Sequence, residues 1–162
     1  MGQVMKDINT KATHLDELMP LMKECMAAGL PVKFSPKGTS MLPMIRQGID
    51  CVELSFTTEQ LKKYDIPLYQ RDDGHYVLHR IVEVVQSGEK VTYTCCGDNQ
   101  FIYEPGIRPD QIIAVVTAFT RGDKAHTAKE LGYQIYCRYW HYSRSLRHCI
   151  RRGKGWLRRH LK

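Results

Sequence analysis

Between residues 31 and 121 the apolar positions recur at every second residue, in short runs bounded by turn formers. "VKFSPKG", "DCVELSF", "HYVLHRIVEVV", "KVTYTCCG" and "QIIAVVTAFTR" are rich in β-branched or aromatic residues, as half-buried strands are. "RDDGH" and "QSGEK" place polar turns on either side of the third run, so residues 68 to 96 are expected to form an antiparallel meander. Many short strands at this spacing favour a folded sheet or partly open barrel over a parallel α/β fold. "YDIPLYQRD" is expected at a sheet edge, because Pro67 cannot donate to a ladder.

The period lengthens at both ends of the chain. Leu15, Leu18, Met19, Met22, Cys25 and Met26 recur at helical spacing, which predicts an amphipathic helix over 13 to 28. Thr13 with Asp16 resembles a capping box, and Gly29 supplies a C-cap. Pro20 conflicts with a straight helix. From about residue 128 a second stripe runs through Leu131, Ile135, Tyr139, Tyr142, Leu146 and Ile150, and Gly153 and Gly155 are expected to interrupt it before "WLRRHLK". The expected organisation is a helix in residues 1 to 30, a β domain in 31 to 125 and a basic, aromatic-rich helical tail in 126 to 162.

Composition narrows the function classes. Hydrophobic residues at 43% and charged residues at 25% suit a globular chain with a real core. The longest apolar runs, such as "IIAVV", fall far short of the roughly 18 residues of a membrane span. The first residues lack an apolar h-region, and Lys6 stands where a myristoylation site needs Ser or Thr. Six cysteines are scattered without a two-residue gap between any pair, so reduced thiols, no metal site and a cytoplasmic location are expected.

Charge is concentrated in the tail. After Glu130 there are nine basic residues and no acid, whereas the first 130 residues hold 15 bases and 17 acids. The tail therefore reads as a solvated helix packed on the domain or as a helix on an anionic membrane surface. Nucleic-acid binding is a third, less favoured use of bases interleaved with aromatics.

Three residues could carry chemistry. Ser40 sits in "GTSMLPMI", His79 among apolar neighbours in "YVLHRIVEV", and Asp98 in the turn "CGDNQ". Strict alternation would put His79 on one face with Val77, Ile81 and Val85. A serine hydroxyl needs a base within hydrogen-bonding reach, and histidine serves near neutral pH without a large desolvation shift. Its other ring nitrogen needs an acceptor, for which Asp98 is the leading candidate. The N–H of Ser40, helped by Gly38 and Thr39, would form an oxyanion hole, and Pro43 would stiffen the turn. Met41 is expected to plug the core beneath the serine. His75, Asp50 and Asp110 are weaker candidates in polar turns.

Taken in order, the S-M-x-P box at Ser40, "GIDCV", "VLHRIV" and "GDN" resemble the signal peptidase and LexA-type serine peptidase superfamily over about residues 31 to 120. The box with histidine before Arg is similar to that of the endoplasmic-reticulum type. The resemblance implies a LexA/signal-peptidase-like folded sheet, a Ser40–His79 dyad with Asp98 as the acidic residue, no cofactor, and an extended peptide substrate with small side chains before the cut. The chain departs from membrane signal peptidases in carrying an amphipathic helix where those have a hydrophobic anchor. A different-class alternative is a non-catalytic peptide- or membrane-binding module on the same fold.

Overall fold

The computed structural model describes residues 15 to 160, apart from the side chains of residue 16 and of residues 153 to 160. The expected cap Thr13 lies outside the described residues. The structure is mainly β, a curled half-barrel of antiparallel sheet accompanied by three helices.

Two sheets divide the work. The larger has the order β1 (Val32–Phe34), β2 (Val52–Ser55), β8 (Ile112–Arg121), β3 (Pro67–Gln70), β4 (Tyr76–Leu78), with β9 (Lys124–Thr127) also paired to β8. The smaller is β5 (Arg80–Ser87), β6 (Lys90–Cys96), β7 (Glu104–Ile107). The ten-residue run "IIAVVTAFTR" is the spine, pairing β2, β3 and β9. Register shifts at Glu53/Leu54 and Leu68/Tyr69 interrupt its ladders, and such bulges bend and twist the strands that carry them.

The helix α1 (Leu15–Ala27) buries Met19, Met22 and Met26 against Val52, Leu54 and Leu68 in one core. At about 1.5 to 3 kcal/mol per buried side chain, the three methionines contribute roughly 5 to 9 kcal/mol before ordering costs. Pro20 stays within this helix and faces outward. A second core gathers Tyr69, Ile81, Tyr93, Cys95 and Ile107. The six cysteines are all free thiols.

Three expectations about the chain path are corrected. The strand holding Pro67 is internal, paired on both sides, and the proline is tolerated because it occupies the first strand position. The run "HYVLHRIVEVV" is two strands, not one, and its meander is broken between sheets at His79. The cause is local: the Ile81 N–H donates to the Asp65 carbonyl (2.8 Å) and its carbonyl accepts from the Tyr64 N–H (2.9 Å), so the 64–65 loop captures the backbone where β5 begins. Finally, α2 (Leu131–Tyr142) is followed by α3 (Arg144–His160), which continues through Gly153 and Gly155; a helical glycine costs only about 1 kcal/mol.

The tail is tied to the domain through Arg80. This residue is 1% exposed, and its guanidinium donates to Asp98 (Nε–Oδ1 2.8 Å, Nη2–Oδ2 2.7 Å), to the Tyr64 carbonyl, and to Tyr133 Oη and Cys137 Sγ of α2. Burial works against its charge, but the Asp98 carboxylate holds it protonated. Sheet switch, turn and tail helix thus share one buried cation.

Candidate active site

Ser40 lies in the turn after β1, and its backbone is fixed from the neighbouring "GDN" turn. The Asn99 N–H donates to the Ser40 carbonyl (2.7 Å) and Asn99 Nδ2 to the Thr39 carbonyl (3.2 Å). Gly97 is required for this approach, since a Cβ there would stand 2.7 Å from the Ser40 carbonyl oxygen. On the other side Gly38 adopts φ +94°, a region where a side chain is strained. Below the serine Met41 and Met44 are buried in the core, and the Leu42–Pro43 peptide is cis.

His79 occupies the corner where the chain leaves the larger sheet for the smaller, and it is 4% exposed. The break in the strand, rather than plain alternation, aims its ring. His79 and Ser40 line one cavity of about 270 Å³, which also takes in Gly38, Tyr76, Val77 and Leu78. The principal pair expected from the sequence therefore lines one cavity. His79 Nδ1 is bonded to Glu104, and no hydrogen bond links its ring to Ser40 Oγ. Serine–histidine contacts are often loose before substrate binds.

The acid at the ring is Glu104, which sequence reasoning missed. Its Oε1 stands 2.9 Å from His79 Nδ1, while Asp98, the expected partner, is committed to Arg80 and fully buried. This corrects the expected geometry of Asp98: it braces the turn that holds Ser40. Glu104 enters because β7 pairs with β6 in the register Cys95↔Glu104. Its only sequence signal is a lone acid among apolar residues in "FIYEPGI".

Glu104 is kept ionised. Burial alone would raise its pKa, but hydrogen bonds from Arg71 (2.7 and 2.6 Å) and Tyr69 Oη (3.0 Å), with the charge of Arg71 and, at acid pH, of protonated His79, hold it below the usual value. For His79, burial lowers the pKa and outweighs the opposing charge and hydrogen bond of Glu104. The imidazole is thus neutral at neutral pH. An ionised carboxylate at Nδ1 demands an N–H there, which leaves the Nε2 lone pair free to accept a proton.

The remaining expected residues divide. The Gly38 N–H is taken by Gln47 Oε1 (2.7 Å), so it does not serve an oxyanion. The Ser40 N–H has no acceptor among the described residues and stays available. Thr39 lines a second, open groove of about 820 Å³ that shares Ser40, Arg71 and Gln100 with the first cavity. Ser40 therefore sits where two depressions meet. His75 is exposed and paired with Asp73, Asp110 is exposed beside Arg108, and Asp50 is a buried staple for Arg46 and the Gly122 N–H. Among the described residues no cluster of three or more His, Cys, Asp or Glu could hold a metal.

The edge of the larger sheet reaches this site. Within its sheet β4 pairs only with β3, leaving its other side unpaired, and it runs directly into His79. An unpaired strand edge can add an extended peptide as a further strand. Comparison of the chain with family models, with curated proteins and with solved structures returns no match.

Proposed function

We propose that the protein is a serine endopeptidase, with a LexA/signal-peptidase-like folded sheet, that cuts an extended peptide through Ser40 and His79. The observation that carries the proposal is the convergence of Ser40 and a neutral, carboxylate-oriented His79 on one cavity beside an open strand edge. The peptide adds to β4, and its scissile carbonyl lies over Ser40 between the two depressions. His79 Nε2 takes the hydroxyl proton as Oγ attacks the carbonyl carbon. Glu104 stabilises the imidazolium and keeps the ring in position, without itself taking the proton. The Ser40 N–H donates to the developing oxyanion. The imidazolium then protonates the leaving amine, the C–N bond breaks, and an acyl-enzyme remains. Water, deprotonated by His79, hydrolyses the ester and restores the serine.

A second reading, a peptide-binding module without catalysis, is favoured by one observation: no hydrogen bond links Ser40 Oγ to the His79 ring, whose Nδ1 is bonded to Glu104. Incubation with a library of extended peptides, read by mass spectrometry, separates the two. The peptidase reading expects cleavage that Ser40→Ala reduces by roughly 10³-fold or more. Cleavage retained in Ser40→Ala, or peptide capture by the wild type without any cut, overturns it.

A further inference from the structure

Six large apolar side chains stand exposed along one line of the C-terminal helices. Leu131, Ile135, Tyr139, Tyr142, Leu146 and Ile150 follow at steps of three or four residues and are between 48% and 76% exposed. The other side of the helices is spent on the domain. Tyr133 and Cys137 are buried against Arg80, Trp140 Nε1 donates to the Asp98 carbonyl (2.8 Å), and Phe101 stacks on His148 at 4.5 Å. The inward face anchors the helices, so the outward apolar line is a fixed feature of the surface. Contiguous exposed apolar area of this kind marks an interaction face.

Charge decides the occupant. The helices carry eight bases and no acid, of which Arg144 is buried and Arg147 and Arg151 bond to the domain. Arg138, three residues from Ile135 and four from Tyr142, is exposed at the edge of the stripe. Its hydrogen bonds stay within its own helix, to Gln134, and its guanidinium lies 5.6 Å from the Tyr64 ring centroid, while Arg152 is exposed further round α3. A second copy docked about a two-fold axis would set these bases against their own kind. Single-stranded nucleic acid would use aromatic faces for stacking, whereas four of the six exposed residues are leucine or isoleucine. An anionic bilayer satisfies both halves of the pattern, with headgroups for the arginines and acyl chains for the stripe. We infer that α2 and α3 lie in the plane of an anionic lipid surface, the stripe inserted and the exposed arginines, Arg138 and Arg152, at headgroup level. Among the described residues no helix is long and apolar enough to cross a membrane, so the chain rests on the surface there. The inference is independent of any catalytic activity.

The test is sedimentation of the full chain with vesicles of phosphatidylcholine alone or mixed with phosphatidylglycerol. Binding should be at least tenfold stronger to the mixed vesicles and weaken at high salt, since each base near an anionic surface is worth about fivefold. Ile135→Ser with Leu146→Ser should weaken binding by at least tenfold without lowering the melting temperature, both side chains being exposed. Arg138→Glu with Arg152→Glu should weaken it and flatten its salt dependence. Equal binding to both vesicle types, or undiminished binding by the serine variant, overturns the inference. So does a dimer in analytical ultracentrifugation that the serine substitutions dissociate, or a single-stranded oligonucleotide that competes the vesicles away.

Discussion

Replacing Asp98 with alanine should damage the fold far more than a surface carboxylate would. Asp98 and Arg80 are 0% and 2% exposed at their side chains and meet through two hydrogen bonds of 2.8 and 2.7 Å. Without the carboxylate the guanidinium keeps only neutral partners: the Tyr64 carbonyl, Tyr133 and Cys137. Removing one member of a buried pair costs about 3 to 5 kcal/mol, because the other charge stays buried and uncompensated. That is a large part of the roughly 5 to 15 kcal/mol that holds a domain together, and it corresponds to a fall in melting temperature of roughly 6 to 20 °C for a chain of this size. Urea unfolding followed by tryptophan fluorescence is a suitable assay, since Trp140 bonds the Asp98 carbonyl directly. Arg80→Met combined with Asp98→Ala should cost clearly less than the sum of the two single changes, because no charge is then stranded. An Asp98→Ala protein within about 1 kcal/mol of wild type, or an additive double-mutant cycle, would refute the reasoning.

Three further outcomes follow from the site. The proposed mechanism needs neutral His79, so the rate should rise with pH through a midpoint below the ordinary histidine value of about 6.5, as burial dictates. Glu104→Gln removes the charge that favours the imidazolium, so the midpoint should move lower still while the plateau rate falls; a midpoint that moves up would exclude Glu104 as the partner of the ring. Gly97→Ala should force the Ser40 turn outward, because its Cβ would meet the Ser40 carbonyl at 2.7 Å. A drop of at least tenfold in kcat with the chain still folded is expected, and unchanged kinetics would show that the turn is not held there.

The legible parts of the molecule were those with a local signal. The five alternating runs carry their β preference in their own residues, and the α1 methionines carry theirs in a helical period. What escaped depends on partners distant in sequence. Pro67 reads as an edge signal until β8 and β4 are seen on either side of it. The break at His79 is made by a loop some 15 residues earlier, whose carbonyl at Asp65 and N–H at Tyr64 take the Ile81 backbone. Glu104 reaches His79 only through the β6–β7 register, 25 residues along the chain. In the sequence Asp98 stands in a turn that suits an acidic partner for histidine, yet the buried guanidinium of Arg80 is the stronger claimant for its carboxylate. Ser40 and His79 stand out in the sequence because their neighbours resemble boxes in a fixed order; Glu104, the acid at the His79 ring, has no such surroundings.

The most direct measurement is the rate at which a fluorophosphonate labels the protein, followed by mass spectrometry of the adduct. Attack by Ser40 Oγ on phosphorus expels fluoride and leaves a phosphonylated serine, with no peptide substrate needed. The account predicts a single adduct on Ser40, absent in Ser40→Ala, formed at least a hundredfold more slowly in His79→Ala, and accelerating with pH through the His79 midpoint. No adduct on Ser40, or an adduct formed equally fast in His79→Ala, would contradict it.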